Sequence, residues 1–262
     1  MSEDLCAYAA SDGCATITLN RPQAKNALSA GLMDALTQAF ERAAQDRDIR
    51  VVILTGAGDA FCAGLDLREF GGASGIGSGG EWHRPGYWKA MEAFEGPIIG
   101  AINGPAVTAG LELALACDLL IASSSARFAD THVRVGVMPG SGVSQRLPRA
   151  VGIYRAKYLS LTGNFLSAAQ AAEWGLVSHV VDPGDLLPTA RGIAADMLSA
   201  MPHMLAPIKR VIDDGFATTL EEGLSLEAER SARQFAQDKP QAGAGRAFER
   251  VRERGREQQR ER

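Results

Sequence analysis

The chain has 262 residues, 46% of them apolar and 22% charged, with 29 glycines and a formal net charge of −4. A chain of this size buries a core without disulfide or metal staples. Its acidic balance excludes the basic surface of a general nucleic-acid binder. Cys6, Cys14, Cys62 and Cys117 are scattered, with no paired spacing. That pattern argues against a zinc site or a disulfide framework and predicts a cytoplasmic protein. The first residues, MSEDLCAYAASDG, carry neither the basic nor the apolar region of a secretory signal. No apolar run nears the roughly 20 residues of a spanning helix.

In chain order, Ala15–Leu19 alternates as a strand and stops at Asn20-Arg21-Pro22. Ser29 then caps a predicted helix in which Leu32, Ala35, Leu36, Ala39, Phe40 and Ala43 recur at helical spacing. Val51–Leu54, Ile98–Ile102 and Leu119–Ala122 read as buried strands, and a helix is expected from about Thr108. Gly71–Gly80 is a low-complexity loop, either a lid or a plain surface segment. Beyond Gly152 the chain reads as helical: Tyr154–Leu161, Ala168–Trp174, Asp185–Met197 and Leu220–Phe235, with the short apolar piece Leu176–Val181 between. Strands alternating with helices predict an α/β sheet. The expected organisation is an α/β core over residues 1–195 and a helical C-terminal region over 196–262. The last stretch, Arg246–Arg262, interleaves seven arginines with four glutamates. It reads as a solvated helical face, or else as an arm for a neighbouring subunit or an anionic ligand.

Two strand–turn–helix junctions carry the chemistry. In the first, Phe61-Cys62-Ala63-Gly64-Leu65-Asp66-Leu67, Gly64 leaves room for a ligand atom beside the main chain. In the second, Asn103 to Glu112, small residues open a helix whose first N–H groups lack intrahelical partners, a setting that attracts an anionic oxygen. Glu112 lies inside the apolar run Leu111–Ala116. Burial would raise its pKa towards the range useful for proton transfer. The competing reading is a glutamate ion-paired inside a core.

The blocks Ile17–Pro22, Lys25–Leu28, Val52–Gly56 and Phe61–Leu67 together resemble the crotonase superfamily, the enoyl-CoA hydratase/isomerase family. Ala101–Ala106, Cys117-Asp118, Pro139–Gly142 with Gln145–Leu147, and Glu173–Val177 continue the likeness in order, over nearly the whole chain. The resemblance implies a spiral of ββα units, then a helical C-terminal region that builds a homotrimer or a dimer of trimers. It implies an acyl-CoA thioester whose oxygen is held by the N–H groups of Leu65 and Ala109. Coenzyme A is then part of the substrate, and no separate cofactor or metal is expected. Lys25, Ala27, Ala63, Gly64, Asp66, Arg68 and Gly110 are the implied substrate-binding positions, with Glu112 and His132 as catalytic candidates.

His132 is where the pattern departs, because hydratases of this family usually carry a second glutamate at that place. A histidine, with a reference pKa near 6.5, both donates and accepts protons. It either replaces the second acid, hydrogen-bonds an acyl substituent, or has no chemical role. Asp130 is a poorly placed stand-in that would share a face with His132 were the segment extended. Trp82, Tyr87 and Trp88 either line an acyl pocket or anchor a helix, His83 is core or surface or else lines the substrate pocket, and Cys62 is read as packing. The leading expectation is a hydratase acting on a 2-enoyl-CoA. The alternatives are an isomerase that shifts the double bond and a catalytically weak acyl-CoA binder.

Overall fold

The computed structural model describes residues 5–70, 85–237, 249 and 251–256. Gly71–Gly80, Trp82, His83 and part of Arg246–Arg262 lie outside them. A hairpin opens the chain: β1 (Cys6–Ser11) pairs antiparallel with β2 (Cys14–Leu19) around Asp12-Gly13, both at positive φ. In α1 (Ala30–Gln45) the Ser29 hydroxyl accepts the Leu32 N–H at 3.2 Å, capping a helix that buries Leu32, Leu36 and Phe40.

There follow β3 (Val51–Gly56), α2 (Leu67–Phe70), α3 (Gly86–Ala93), β4 (Ile98–Ile102), β5 (Ala106–Val107) and α4 (Ala109–Leu115). After these come β6 (Leu119–Ser123), β7 (Arg127–Ala129), α5 (His132–Val135), α6 (Val143–Val151) and α7 (Ile153–Thr162). Then β8 (Leu166–Ser167), α8 (Ala168–Glu173), β9 (His179–Val181) and α9 (Leu186–Leu198) complete the α/β part.

The large sheet runs β1-β2-β3-β4-β6-β9, parallel from β2 onward, and a small sheet runs β5-β7-β8. Both faces of the large sheet are covered. Val52, Leu54, Ile98, Ile102 and Ala122 join the main core, whereas Val51, Ile53, Ile99, Ala101 and Ile121 pack with Leu186, Ala190 and Ala194 of α9. This two-sided burial is why these strands read as continuous apolar runs.

Successive chain segments repeat one order: a strand of the large sheet, a short piece of a second layer, then a helix. β2 is followed by Leu28, which bridges Leu65 in parallel, and by α1; β3 is followed by Cys62, which bridges Ala106 in parallel, and by α2 and α3. β4 leads through β5 to α4, and β6 through β7 to α5. The result is a spiral of ββα turns, stacked so that equivalent junctions lie over one another.

The chain divides into two compact units, Met1–Ala206 and Pro207–Arg262. The first extends past residue 195 because α9 covers a face of the large sheet. The second contains most of α10 (Leu205–Phe216) and α11 (Leu220–Gln237). Within it a Cβ on Gly223 would lie 3.1 Å from the Gly215 carbonyl oxygen, so these helices meet closely. No helix among the described residues is long and apolar enough to cross a membrane.

Candidate active site

The spiral stacks the junction after β3 against the junction into α4. In the parallel bridge of Leu28 with Leu65, the Leu28 N–H donates to Gly64 O at 2.8 Å and the Asp66 N–H donates to Leu28 O at 3.0 Å. The residue between, Leu65, therefore turns its own N–H away from Leu28. Gly64 stands at φ +102°, and a Cβ there would lie 3.1 Å from Val107 O and 3.8 Å from Ala109 N. Only a glycine lets the two main chains come this close. Asp66 holds the turn from the other side: its carboxylate accepts Arg21 Nη2 at 2.9 Å, and that bond holds its pKa below the ordinary carboxylate value.

Thr108 precedes α4 at φ +54°, ψ −112°, a conformation that costs about 1–3 kcal/mol for a residue with a side chain. It is held there by its N–H donating to Ala129 O at 2.8 Å and by a hydroxyl contact with Thr131. The twist leaves the start of α4 without a side-chain cap. Among the described residues, neither the Leu65 N–H nor the Ala109 N–H has a hydrogen-bond partner.

Glu112 lies one turn into α4, its N–H donating to Thr108 O, and is 2% exposed. Its Oε1 accepts the N–H of Ser141 at 2.9 Å and that of Val143 at 3.3 Å. Val143 is the first residue of α6, so this carboxylate occupies a helix N-terminus. Oε2 faces His132 Nε2 at 4.0 Å. Burial pushes the Glu112 carboxyl above its ordinary value; the Ser141 and Val143 N–H groups and His132 pull it partway back.

β7 ends at Ala129, and His132 opens the helical turn α5. The extended segment that would have put Asp130 and His132 on one strand face is therefore absent. The two meet because the chain turns: Asp130 Oδ1 lies 2.6 Å from His132 Nδ1 and also accepts the His132 N–H at 3.3 Å. Burial would raise the Asp130 pKa, but the hydrogen bonds from His132 and Ser160 outweigh it and hold the carboxyl below its ordinary value.

The other implied positions fall into distinct settings. Lys25 is exposed and pairs with Asp59 at 3.0 Å; its carbonyl accepts the Ala63 N–H. Ala27 O accepts Arg21 Nη1 at 2.7 Å, and Arg68 is exposed on α2. Gly110 is buried, and a Cβ there would stand 2.1 Å from Cys62 O, so its smallness serves the seating of α4. Tyr87 and Trp88 are each 1% exposed in the main core, where they anchor α3. Cys62 is fully buried, its thiol pushed up to about 12 by burial.

Sequence reasoning overlooked Ser141 and Val143 as the partners of Glu112. Their contribution is a backbone N–H, which no side chain advertises. Glycine at 140 and 142 was the available signal that main chain, rather than side chain, works there.

A family model described as enoyl-CoA hydratase/isomerase matches residues 9–256. The chain belongs to that family, within the crotonase superfamily. A probable peroxisomal enoyl-CoA hydratase 1 of Arabidopsis thaliana is 44% identical over 222 residues, covering 84% of this chain and 83% of that one. A 2,3-dehydroadipyl-CoA hydratase of Escherichia coli is 40% identical over 212 residues, covering 80% and 82%. Among solved structures, an enoyl-CoA hydratase from Mycobacterium avium matches with a TM-score of 0.73 at 45% identity, over 89% of this chain and 97% of that chain. One from Bacillus anthracis matches with a TM-score of 0.83 at 35% identity, over 94% and 96%. The family's fold accounts for the spiral, and the likeness in this chain runs through both junctions and the Glu112 helix.

Proposed function

We propose that this enoyl-CoA hydratase/isomerase family member adds water to a 2-enoyl-CoA thioester. The observation that carries the reading is the buried Glu112, with Oε1 saturated by two backbone N–H groups and Oε2 turned to His132 at 4.0 Å. The thioester oxygen lies between the N–H groups of Leu65 and Ala109, where negative charge gathers as the acyl chain becomes an enolate. Each such donor is worth about 10²- to 10³-fold in rate. The hydroxyl of water joins the β-carbon and a proton joins the α-carbon, with Glu112 and His132 as the proton carriers. Coenzyme A enters and leaves as part of the substrate, along Lys25–Ala27 and Ala63–Arg68.

Mixing the purified protein with a short 2-enoyl-CoA tests this directly. Loss of the enoyl absorbance is the expected result. A second reading is favoured by Glu112 being, among the described residues, the carboxylate that faces the Nε2 side of His132, with Asp130 on the Nδ1 side, since one carboxylate suffices to carry a proton between carbons. No change with the 2-enoyl ester, together with conversion of a 3-enoyl-CoA, would replace the hydratase with an isomerase. If neither ester reacts and both still raise the melting temperature, the protein is an acyl-CoA binder.

The assembly belongs to the same proposal, as a homotrimer or a dimer of trimers in the cytoplasm. Ile208, Ile212, Phe216, Leu220 and Leu224 in the helical region are exposed in the single chain, an apolar surface that favours a partner. Light scattering on the purified protein distinguishes three subunits from six.

A further inference from the structure

Beyond the two proton carriers proposed above, a third buried ionisable group stands in line with them. Asp130 is 1% exposed, His132 7% and Glu112 2%. Asp130 Oδ1 lies 2.6 Å from Nδ1 of the imidazole, and Nε2 on the opposite side of the ring lies 4.0 Å from Glu112 Oε2. An ionised carboxylate only accepts hydrogen bonds. The Asp130 contact therefore places a proton on Nδ1, and in the neutral ring this leaves Nε2 as the acceptor. On Glu112, Oε1 is already taken by the N–H groups of Ser141 and Val143. A proton on this carboxyl accordingly sits on Oε2.

We infer that Asp130 is a positioning residue that fixes the His132 tautomer, so that His132 takes the proton from water and Glu112 supplies the proton to the α-carbon. This rests on the hydratase reading above. A water that donates one hydrogen to Nε2 and accepts the Oε2–H of Glu112 holds those two atoms about 4 to 4.5 Å apart at ordinary hydrogen-bond lengths. The separation of Nε2 from Oε2 falls in that range. During addition the water O–H bond breaks, the oxygen bonds to the β-carbon, and the proton passes to Nε2. The Oε2–H proton goes to the α-carbon as the enolate electrons return from the thioester oxygen. The imidazolium, stabilised by Asp130, then hands its proton to the Glu112 carboxylate, restoring both groups. Atoms and charge balance, with one water consumed.

Replacement of Asp130 with asparagine puts an N–H donor opposite Nδ1. It favours the other tautomer, with Nε2–H directed at Glu112. Breaking a buried Asp–His pair in this way costs up to about 10⁴-fold in a catalytic triad. For Asp130→Asn the expected result is a fall in kcat of between about 10²- and 10⁴-fold, with KM for the enoyl ester within about threefold. The second measurement requires no turnover. Proton and ¹⁵N NMR of the intact protein should show a downfield Nδ1–H resonance, absent from His132→Gln and from Asp130→Asn, with Nε2 unprotonated. Hydration by Asp130→Asn within threefold of the parent rate overturns the inference. So does a parent spectrum with the proton on Nε2, which decides the matter even if the variant fails to fold. Should the parent protein shift double bonds without adding water, the hydratase reading fails while the spectrum still decides the tautomer.

Discussion

The junction after β3 and α4, the helix entered from the junction stacked against it, each bury an ionisable side chain. Cys62 and Glu112 are 0% and 2% exposed, both close to the paired N–H groups. Their surroundings differ. The Cys62 thiol has one weak contact, to Gly64 O at 3.8 Å, which only slightly offsets the burial that drives it up to about 12. Glu112 receives two backbone N–H groups on one oxygen and faces an imidazole with the other. Burial by itself makes a group inert. Burial opposed by donors on one side leaves the Glu112 carboxyl raised yet pulled partway back.

The sharpest way to break this comparison is to neutralise the glutamate. Glu112→Gln should lower turnover by about 10³-fold, with thioester binding largely kept; isothermal titration alongside the absorbance assay separates the two. The same variant carries a stability signature. Because the folded-state pKa of Glu112 is raised, its stabilising contribution is full below the unfolded value and fades as pH rises through the folded value. The glutamine protein should therefore gain in melting temperature relative to the parent as pH rises above about 4.3. Equal melting curves at pH 4 and 8 would contradict the assignment of a raised pKa.

A smaller effect is expected from Gly110→Ala. The added Cβ meets the Cys62 carbonyl at 2.1 Å, so α4 must lift from its seat. A loss of about 3 kcal/mol in denaturant unfolding is expected, with turnover falling in parallel because the Ala109 N–H moves as well. Asp66→Asn comes next. Its carboxyl is held below the ordinary value by Arg21, so the stability it adds is present above the unfolded pKa and is lost as pH falls through the folded one. The variant should be destabilised at pH 7 by about 1 kcal/mol, and the difference should shrink once pH falls below the ordinary carboxylate value and on through the folded-state pKa. The least effect on turnover belongs to Cys62→Ala, within twofold of the parent, with about 1–2 kcal/mol less stability. A large loss of turnover there would mean that the thiol, too, takes part.

The parallel strands were legible because Val51–Leu54, Ile98–Ile102 and Leu119–Ala122 are buried on both faces and so contain no polar interruption. The first strand, Cys6–Ser11, was overlooked. It lies at a sheet edge with an exposed second half, although Asp12-Gly13 is a hairpin signal. α6 was overlooked too: Val143, Leu147 and Val151 recur at helical spacing, but Pro148 inside it argues against a helix. In the site, Glu112 stood out as an acid within an apolar run. The meeting of Asp130 with His132 was hidden, because a spacing of two suggests a strand, and the turn at Thr131 is settled by tertiary packing. α10 was likewise missed within a region read broadly as helical.

The parallel bridge at Leu28 has an evolutionary consequence. It makes position 65 a supplier of an amide hydrogen and asks nothing of the side chain except that it not be proline, which has no such hydrogen. Position 109 also supplies only its amide hydrogen, but as the first residue of α4 its side chain is buried in the main core and must stay small. Two of the groups proposed to define the substrate class are thus backbone atoms, and the side chains at these positions answer to packing rather than to the reaction. Searches that score side-chain identity will undervalue them, and the acids and histidine opposite are free to be exchanged on a frame that stays the same.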